Sequence, residues 1–186
     1  TADQIYDQIA HALDDTTYRP RALFDRFGIE VIATTDSALD DLTHHRAAAD
    51  SDWTGRVVPT YRPDAVSDPD FEGFHKNLET FEALTGANIG SWQGYLNAHR
   101  IRRQFFIEHG ATATDHGHPS AQTADLGERT AQALYGEILA GRGDHELFRA
   151  QMLTEFARMS VDDGLVMQLH PGARRNHHHG IHARFG

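Results

Sequence analysis

The sequence predicts a parallel α/β protein. Three observations carry that prediction. Short β-branched or small-residue runs alternate with amphipathic helical segments, the pattern of repeated βα units. Gly, Pro and Asp bound those runs, as they bound strands. Four of the runs end on Asp, Arg or His. Strands separated by helices lie parallel, so their carboxyl ends emerge on one edge, where parallel α/β proteins place their chemistry.

Taken in order, Asp3 to Leu13 carries Ile5, Ile9, Ala12 and Leu13 at helical spacing. A second helix starts at Tyr18-Arg19-Pro20-Arg21, with Pro20 in a first-turn position and Leu23, Phe24 and Phe27 as its buried stripe. Gly28 suits the residue after its C-cap. Ile29 to Asp36 reads as a strand ending in a carboxylate, and Leu39 to Ala49 as the next helix, with Asp40, Asp41, His44 and His45 near its start. His44 and His45 are adjacent and so cannot face one site together. Arg56 to Asp64 reads as a strand ending in Arg62, stiffened by Pro63.

From Asp70 to Glu108 the spacing turns helical: Phe71, Phe74, Leu78, Phe81 and Leu84, a break at Gly86, then Trp92, Tyr95, Leu96 and Ile101. This is too long for one crossover helix and reads as a helical hairpin inserted between strands. A short strand then runs from Gly110 into Asp115-His116-Gly117-His118. Amphipathic helices follow at Thr130 to Leu139 and Glu146 to Met159, joined by a turn at Gly141 to Gly143. The last run, Gly164 to Leu169, is apolar and reads as a buried strand; it stops on His170, with Pro171-Gly172 and the pair Arg174-Arg175 after it.

Composition narrows the function. With 17 Lys and Arg against 27 Asp and Glu, the formal charge is −10, which speaks against a nucleic-acid partner. No apolar run reaches membrane-spanning length and no signal peptide is visible. The absence of cysteine excludes disulfides and thiolate metal sites, and fits a cytoplasmic enzyme. The 14 histidines are either an elevated exposed population or include members of a metal or proton-transfer site. The chain starts at Thr1 and its 186 residues fall short of a complete eight-stranded β/α barrel, so a piece of a longer polypeptide is expected.

Four strand ends supply the candidates: Asp36, Arg62, Asp115 with His116, and His170 with its arginines. Asp36 either N-caps the following helix or binds substrate. Arg62 either pairs with Asp64 or holds an anion. Asp115 and His116 either stabilise a turn or move a proton beside a carbonyl. His118, before Pro119, reads as structural or solvated, and His177, His178 and His179 as solvent-exposed. His170 stands out because it closes a run read as a buried strand. A neutral imidazole there also suits Zn and similar ions, though further ligands are needed.

The blocks Arg19-Pro-Arg-Ala-Leu-Phe-Asp-Arg-Phe, Glu30-Val-Ile-Ala-Thr-Thr-Asp, Pro59-Thr-Tyr-Arg-Pro-Asp, Ala113-Thr-Asp-His-Gly and Met167-Gln-Leu-His-Pro-Gly-Ala-Arg-Arg-Asn resemble the uronate (glucuronate) isomerase family of the amidohydrolase superfamily. The resemblance runs along the whole chain in the right order. It implies part of a (β/α)8 TIM-type barrel, with residues 1–69 and 109–186 as barrel βα units and 70–108 as a helical insertion. The implied reaction interconverts D-glucuronate and D-fructuronate, or D-galacturonate and D-tagaturonate, in the cytoplasm. Carried over by motif, Arg62 and Arg175 bind substrate, Asp115 is an active-site carboxylate, and His170 is catalytic and a ligand of a divalent metal, Zn in the first place. The implied partner is a small-molecule uronate, and a homo-oligomer is compatible.

Two departures mark a divergent subgroup. The family commonly has Thr-Thr-Asp-Asp where this chain has Thr35-Asp36-Ser37, and Ile-Gly-Ala-Leu-Arg where it has Pro171 to Arg175. The family's first-strand His-x-His and last-strand Asp are absent, so these 186 residues alone are expected to be inactive. A metal-dependent hydrolase of a carboxylated substrate and a non-catalytic sugar-acid binding module are the alternatives.

Overall fold

The computed structural model describes residues 1–172 and 177–185. They fall into two compact units, Thr1–Thr34 with Leu42–Val58, and Thr35–Asp41 with Pro59–Gly186.

In the first unit, helix α1 (Ala2–Asp14) opens on a capping box between Thr1 and Gln4, and its apolar stripe, Ile5, Ile9 and Leu13, is exposed. A 3-10 turn (Thr16–Tyr18) leads into α2 (Pro20–Arg26), which has Pro20 in its first turn and Gly28, at φ +60°, just past its end. Of the stripe expected on α2, Phe24 alone is buried; Leu23 is half-buried and Phe27 is exposed. Phe24 packs edge-on against Trp53, ring centroids 4.9 Å apart, and one such aromatic partner covers only part of the face. Strand β1 (Val31–Ala33) pairs in parallel with β3 (Arg56–Val58), and α3 (Thr43–Ala49) lies between them in sequence.

The expected strands 29–36 and 56–64 are both shorter and divided. The first continues as β2 (Asp36–Ser37) and the second as β4 (Tyr61–Arg62), two residues after Pro59, which has no N–H to give to a ladder. Asp64 is not a strand residue, because Pro63 ends β4 and N-caps a one-turn helix, α4 (Asp64–Ser67). The helix expected from Leu39 starts instead at Thr43. Ala38 still donates to the Arg62 carbonyl at 2.8 Å, and Asp40 turns back onto the Ser37 carbonyl at 2.9 Å, so these residues belong to the sheet and a turn.

The second unit holds the main sheet, in which β2, β4, β5 (Ala113–His116) and β6 (Val166–Leu169) pair in that order, every pair parallel. Helices α5 (Phe74–Thr85) and α6 (Trp92–Glu108) form the expected helical stretch, and Gly86, at φ +65°, ends the first of them. Helices α7 (Glu128–Leu139) and α8 (His145–Asp163) follow, then a short α9 (His179–Phe185). The core beneath the sheet is aromatic. Tyr95 stacks on Tyr135 at 4.6 Å, and Tyr61 hydrogen-bonds His99 Nδ1 at 2.8 Å among Phe81, Phe106 and Phe156. One expectation fails here. β6 is not a buried strand: it pairs with β5 alone among the described residues, and Val166 and Leu169 face solvent.

The entry into β6 is fixed by a buried charge. Arg103, fully buried on α6, reaches Asp163 at the end of α8 through Nε (2.6 Å) and Nη2 (2.8 Å) and also donates to Ser160 Oγ at 3.0 Å. Asp163 in turn accepts from the Leu165 amide at 3.1 Å. Removing one partner of such a pair strands the other charge out of water. Asp163→Ala is therefore expected to lower the unfolding free energy of the full-length protein by about 3 kcal/mol. Replacing both partners with apolar residues, Arg103→Met with Asp163→Leu, should restore most of it. Equilibrium urea unfolding of both variants measures the difference.

Candidate functional site

Parallel pairing brings three of the four expected strand ends together. β4 and β5 align Tyr61 with Thr114, and β5 and β6 align His116 with Leu169. The His170 amide continues the ladder by one step, donating to the His116 carbonyl at 3.2 Å. The side chains of Arg62, Asp115 and His170 consequently meet. His170 Nδ1 lies 2.9 Å from Asp115 Oδ1, and Arg62 Nη1 lies 3.6 Å from Asp115 Oδ2. Arg62 Nη2 also stands 3.4 Å from His170 Nε2. A guanidinium can only donate, so Nε2 accepts and Nδ1 carries the proton toward Asp115. The imidazole is thereby held in one tautomer with its basic nitrogen beside the arginine.

Arg62 is oriented from its other side by Asp64, whose Oδ2 takes the Nε proton at 2.7 Å. Both readings of Arg62 thus coexist: it pairs with Asp64 and still presents its Nη groups to the site. Asp64 is anchored by the Gly117 amide, 3.3 and 3.2 Å from its two oxygens. Gly117 allows this approach because it has no side chain; a Cβ there would overlap Arg62 Nη2 and fall 2.8 Å from Asp64 Oδ2.

These groups open onto a cleft of about 900 Å³ lined also by Ser37, Pro119 and the segment Asp68, Asp70, Phe71 and Glu72. Ser37, and not Asp36, lines the cleft; Asp36 Oδ2 accepts instead from the Thr60 amide at 3.3 Å. Asp36 does not cap a helix either, since α3 begins at Thr43 behind Leu42. Arg174 and Arg175 lie outside the described residues. His177, His178 and His179 are exposed. His170 is half-exposed, at 50% of its side chain, while Asp115 is only 12% exposed.

Sequence reasoning missed the burial of the other two histidines on this edge. His116 is fully buried, its Nε2 2.9 Å from Thr114 Oγ1, and burial drives its pKa down to about 3. His118, read from sequence as structural or solvated, is buried, and burial lowers its pKa too, although Asp64 and Asp68 pull the other way. The available signal was the period of two: Thr114 and His116 share one face of β5, and His118 follows two residues later, just past the strand's end.

The divalent metal expected at His170 does not find its ligands here. Among the described residues no three His, Asp or Glu side chains gather around a point that could hold an ion. Nδ1 of His170 is committed to a carboxylate, and a cation at Nε2 would meet the Arg62 guanidinium. The residues present do not fit a metal by themselves.

Comparison with known proteins covers the whole chain. A family model described as glucuronate isomerase matches residues 1–186. The uronate isomerase of Mesorhizobium japonicum is 59% identical over 189 residues, covering 100% of this chain and 40% of the relative. That of Xanthomonas campestris pv. campestris is 58% identical with the same coverage. Among solved structures, glucuronate isomerase from Caulobacter crescentus matches with a TM-score of 0.88 and 52% identity over 94% of this chain and 37% of that one. Uronate isomerase from Thermotoga maritima matches with a TM-score of 0.80 and 28% identity over 90% of this chain and 38% of that one. The chain thus spans about 40% of the length of the relatives it matches.

The buried imidazoles generate a pH prediction. His99 and His118 share the depression seen at His116, so all three stay neutral in the fold while the unfolded chain takes up protons near its ordinary histidine pKa. For His116 this stability is present above pH ~6.5 and is lost as pH falls from there toward its folded value of about 3, and for His99 and His118 the loss begins at the same upper end. Below pH ~6.5 each depressed histidine should contribute a slope of up to about 1.4 kcal/mol per pH unit until its own folded pKa is reached. Urea unfolding between pH 4 and 7 is expected to show the slope, and His116→Gln to make it shallower.

Proposed function

We propose, given that this chain belongs to the glucuronate isomerase family, that the whole protein is a uronate isomerase. It would interconvert D-glucuronate with D-fructuronate and D-galacturonate with D-tagaturonate. The observation that carries this reading is the His170 imidazole, held between Asp115 and Arg62 at the carboxyl edge of a parallel sheet. Supporting it are the parallel pairing and the α/β order, which suit a (β/α)8 barrel of the amidohydrolase type with βα units at 1–69 and 109–186 and an insertion at 70–108. No helix among the described residues is long and apolar enough to cross a membrane, and a cytoplasmic enzyme is the corresponding proposal.

In this reading Arg62 is the anion-binding group. Asp64 occupies its Nε and the Nη groups face the cleft, so a substrate carboxylate can take the Nη pair. Occupation of Nη2 by the substrate would leave His170 Nε2 as an uncommitted acceptor. Nε2 then removes the proton from C2 of the aldose, the C2–H electron pair forming the carbon–carbon double bond of the enediol as O1 gains a proton. Returning a proton to C1 while O2 loses its own gives the ketose. Asp115 keeps Nδ1 protonated and stabilises the positive charge of the imidazolium that forms. A zinc or similar ion in the whole protein would need ligands from the part of its relatives that this chain does not span.

The full-length protein with D-glucuronate in D2O tests the assignment by proton NMR. The expected result is a ketose isomeric with the substrate, heavier only by the one solvent deuterium at C1; a product that has gained the elements of water would mark a hydrolase. His170→Asn and Asp115→Asn should each lower kcat by about 100-fold or more, the usual scale of a lost acid–base group. Gly117→Ala, which displaces the Arg62 guanidinium, should raise KM. Retention of wild-type kcat by His170→Asn would remove the imidazole from the chemistry.

A further inference from the structure

The cleft has a charge problem. A sugar acid is an anion, yet Asp64, Asp68, Asp70 and Glu72 all line the space beside Arg62, which is already engaged by Asp64 and Asp115. The answer lies on α8. Arg149 does not line the cleft and is only 8% exposed, but its Nη1 donates to Asp68 Oδ1 at 2.8 Å and to Asp70 Oδ2 at 2.7 Å. Its Nε and Nη2 are held by Glu146 Oε2 at 3.2 and 2.9 Å, and Ser120 hydrogen-bonds the other Glu146 oxygen. Four of the five N–H donors of this guanidinium are engaged, so it is fixed in place and shared by two carboxylates of the cleft lining.

The two carboxylates are not equivalent. Asp70 has both oxygens occupied, Oδ2 by Arg149 and Oδ1 by His145 Nδ1 at 2.7 Å. Asp68 uses Oδ1 twice, for Arg149 and for the Asp70 amide at 3.0 Å, while its Oδ2 has no hydrogen-bond partner among the described residues. Asp68 therefore offers the cleft a rigidly held acceptor whose charge Arg149 offsets in part. Sugar hydroxyls are donors that such an oxygen takes, and a hydrogen bond to an ionised acceptor is stronger than a neutral one.

We propose that Asp68 is a substrate-recognition residue whose Oδ2 accepts a hydroxyl of the sugar acid, and that Arg149 is the positioning residue that fixes Asp68 and offsets its charge. This rests on the uronate isomerase reading. Without Arg149, Asp68 would repel the substrate anion; without Asp68, the cleft would lose one contact by which it reads the hydroxyl pattern.

Steady-state kinetics and calorimetric binding of D-glucuronate to the full-length protein test the pair. Asp68→Ala is expected to raise KM about tenfold, the scale of one lost charge-assisted hydrogen bond, with kcat changed far less. Arg149→Met should raise KM similarly, Arg149→Lys should recover part of the loss, and the Asp68→Ala, Arg149→Met double variant should fall short of the product of the singles. A set of monodeoxy uronates supplies a readout that folding alone would not move. One of them should bind the wild type more weakly than the parent sugar, and Asp68→Ala should not distinguish the two. Wild type that converts uronate beside an Asp68→Ala variant of unchanged KM would overturn this inference alone. Wild type that neither binds nor converts uronate would overturn the isomerase reading with it. Loss of kcat with KM and the deoxy discrimination intact would assign Asp68 to folding only and likewise overturn the proposal.

Discussion

Parallel pairing of β4, β5 and β6 is the constraint on which the site depends. Side chains 53 to 108 residues apart in sequence meet because three strands run in the same direction and end on one edge. Register does the rest. Since successive side chains alternate between faces, a slip of one residue would turn Asp115 away and bring Thr114 or His116 in its place. The ladder bond from the His170 amide to the His116 carbonyl extends that register past the last strand residue, so His170 is placed by backbone geometry before any side-chain contact forms.

The two sides of the site differ in stiffness. β5 is buried along its length, so Asp115 is held by the core, whereas β6 is exposed and His170 half-exposed. A contact of this kind with a half-exposed partner stabilises little, and the His170–Asp115 hydrogen bond contributes orientation more than folding energy. Stability at this edge comes from deeper down, where the fully buried Arg103 is paired with Asp163 before the start of β6.

Much of this was legible in the sequence, and the reasons it was not complete are physical. The helices from Phe74 to Asp163 follow from apolar spacing and glycine stops, and the parallel order follows from their alternation with strands. Arg62, Asp115 and His170 were readable because each stands at a strand end within two residues of Pro or Gly. The burial of β6 was misjudged because periodicity reports which residues could be buried and not whether anything covers them. The cleft lining at Asp68 to Glu72 was invisible. It has no period, and its meaning depends on Arg149, separated from it by about 80 residues and named by no local motif. Gly117 was noted as part of a block, but its reason is a close approach by two side chains from β4 and α4, which only coordinates reveal.

Helix α8 joins these observations. Its 19 residues span roughly 28 Å at the usual helical rise, and its two ends do separate work. In the first two turns, His145, Glu146 and Arg149 hold the carboxylates of the cleft lining. At the far end, Ser160 and Asp163 take the Arg103 guanidinium and set the approach to the strand that delivers His170. The helix is packed along the core by Phe148, Met152, Phe156 and Met159, so both ends are held against the same core. Sequence separation between Asp68 and His170 is then immaterial to their relative placement. Both are referred to α8, and the cleft keeps its shape as long as that helix stays docked.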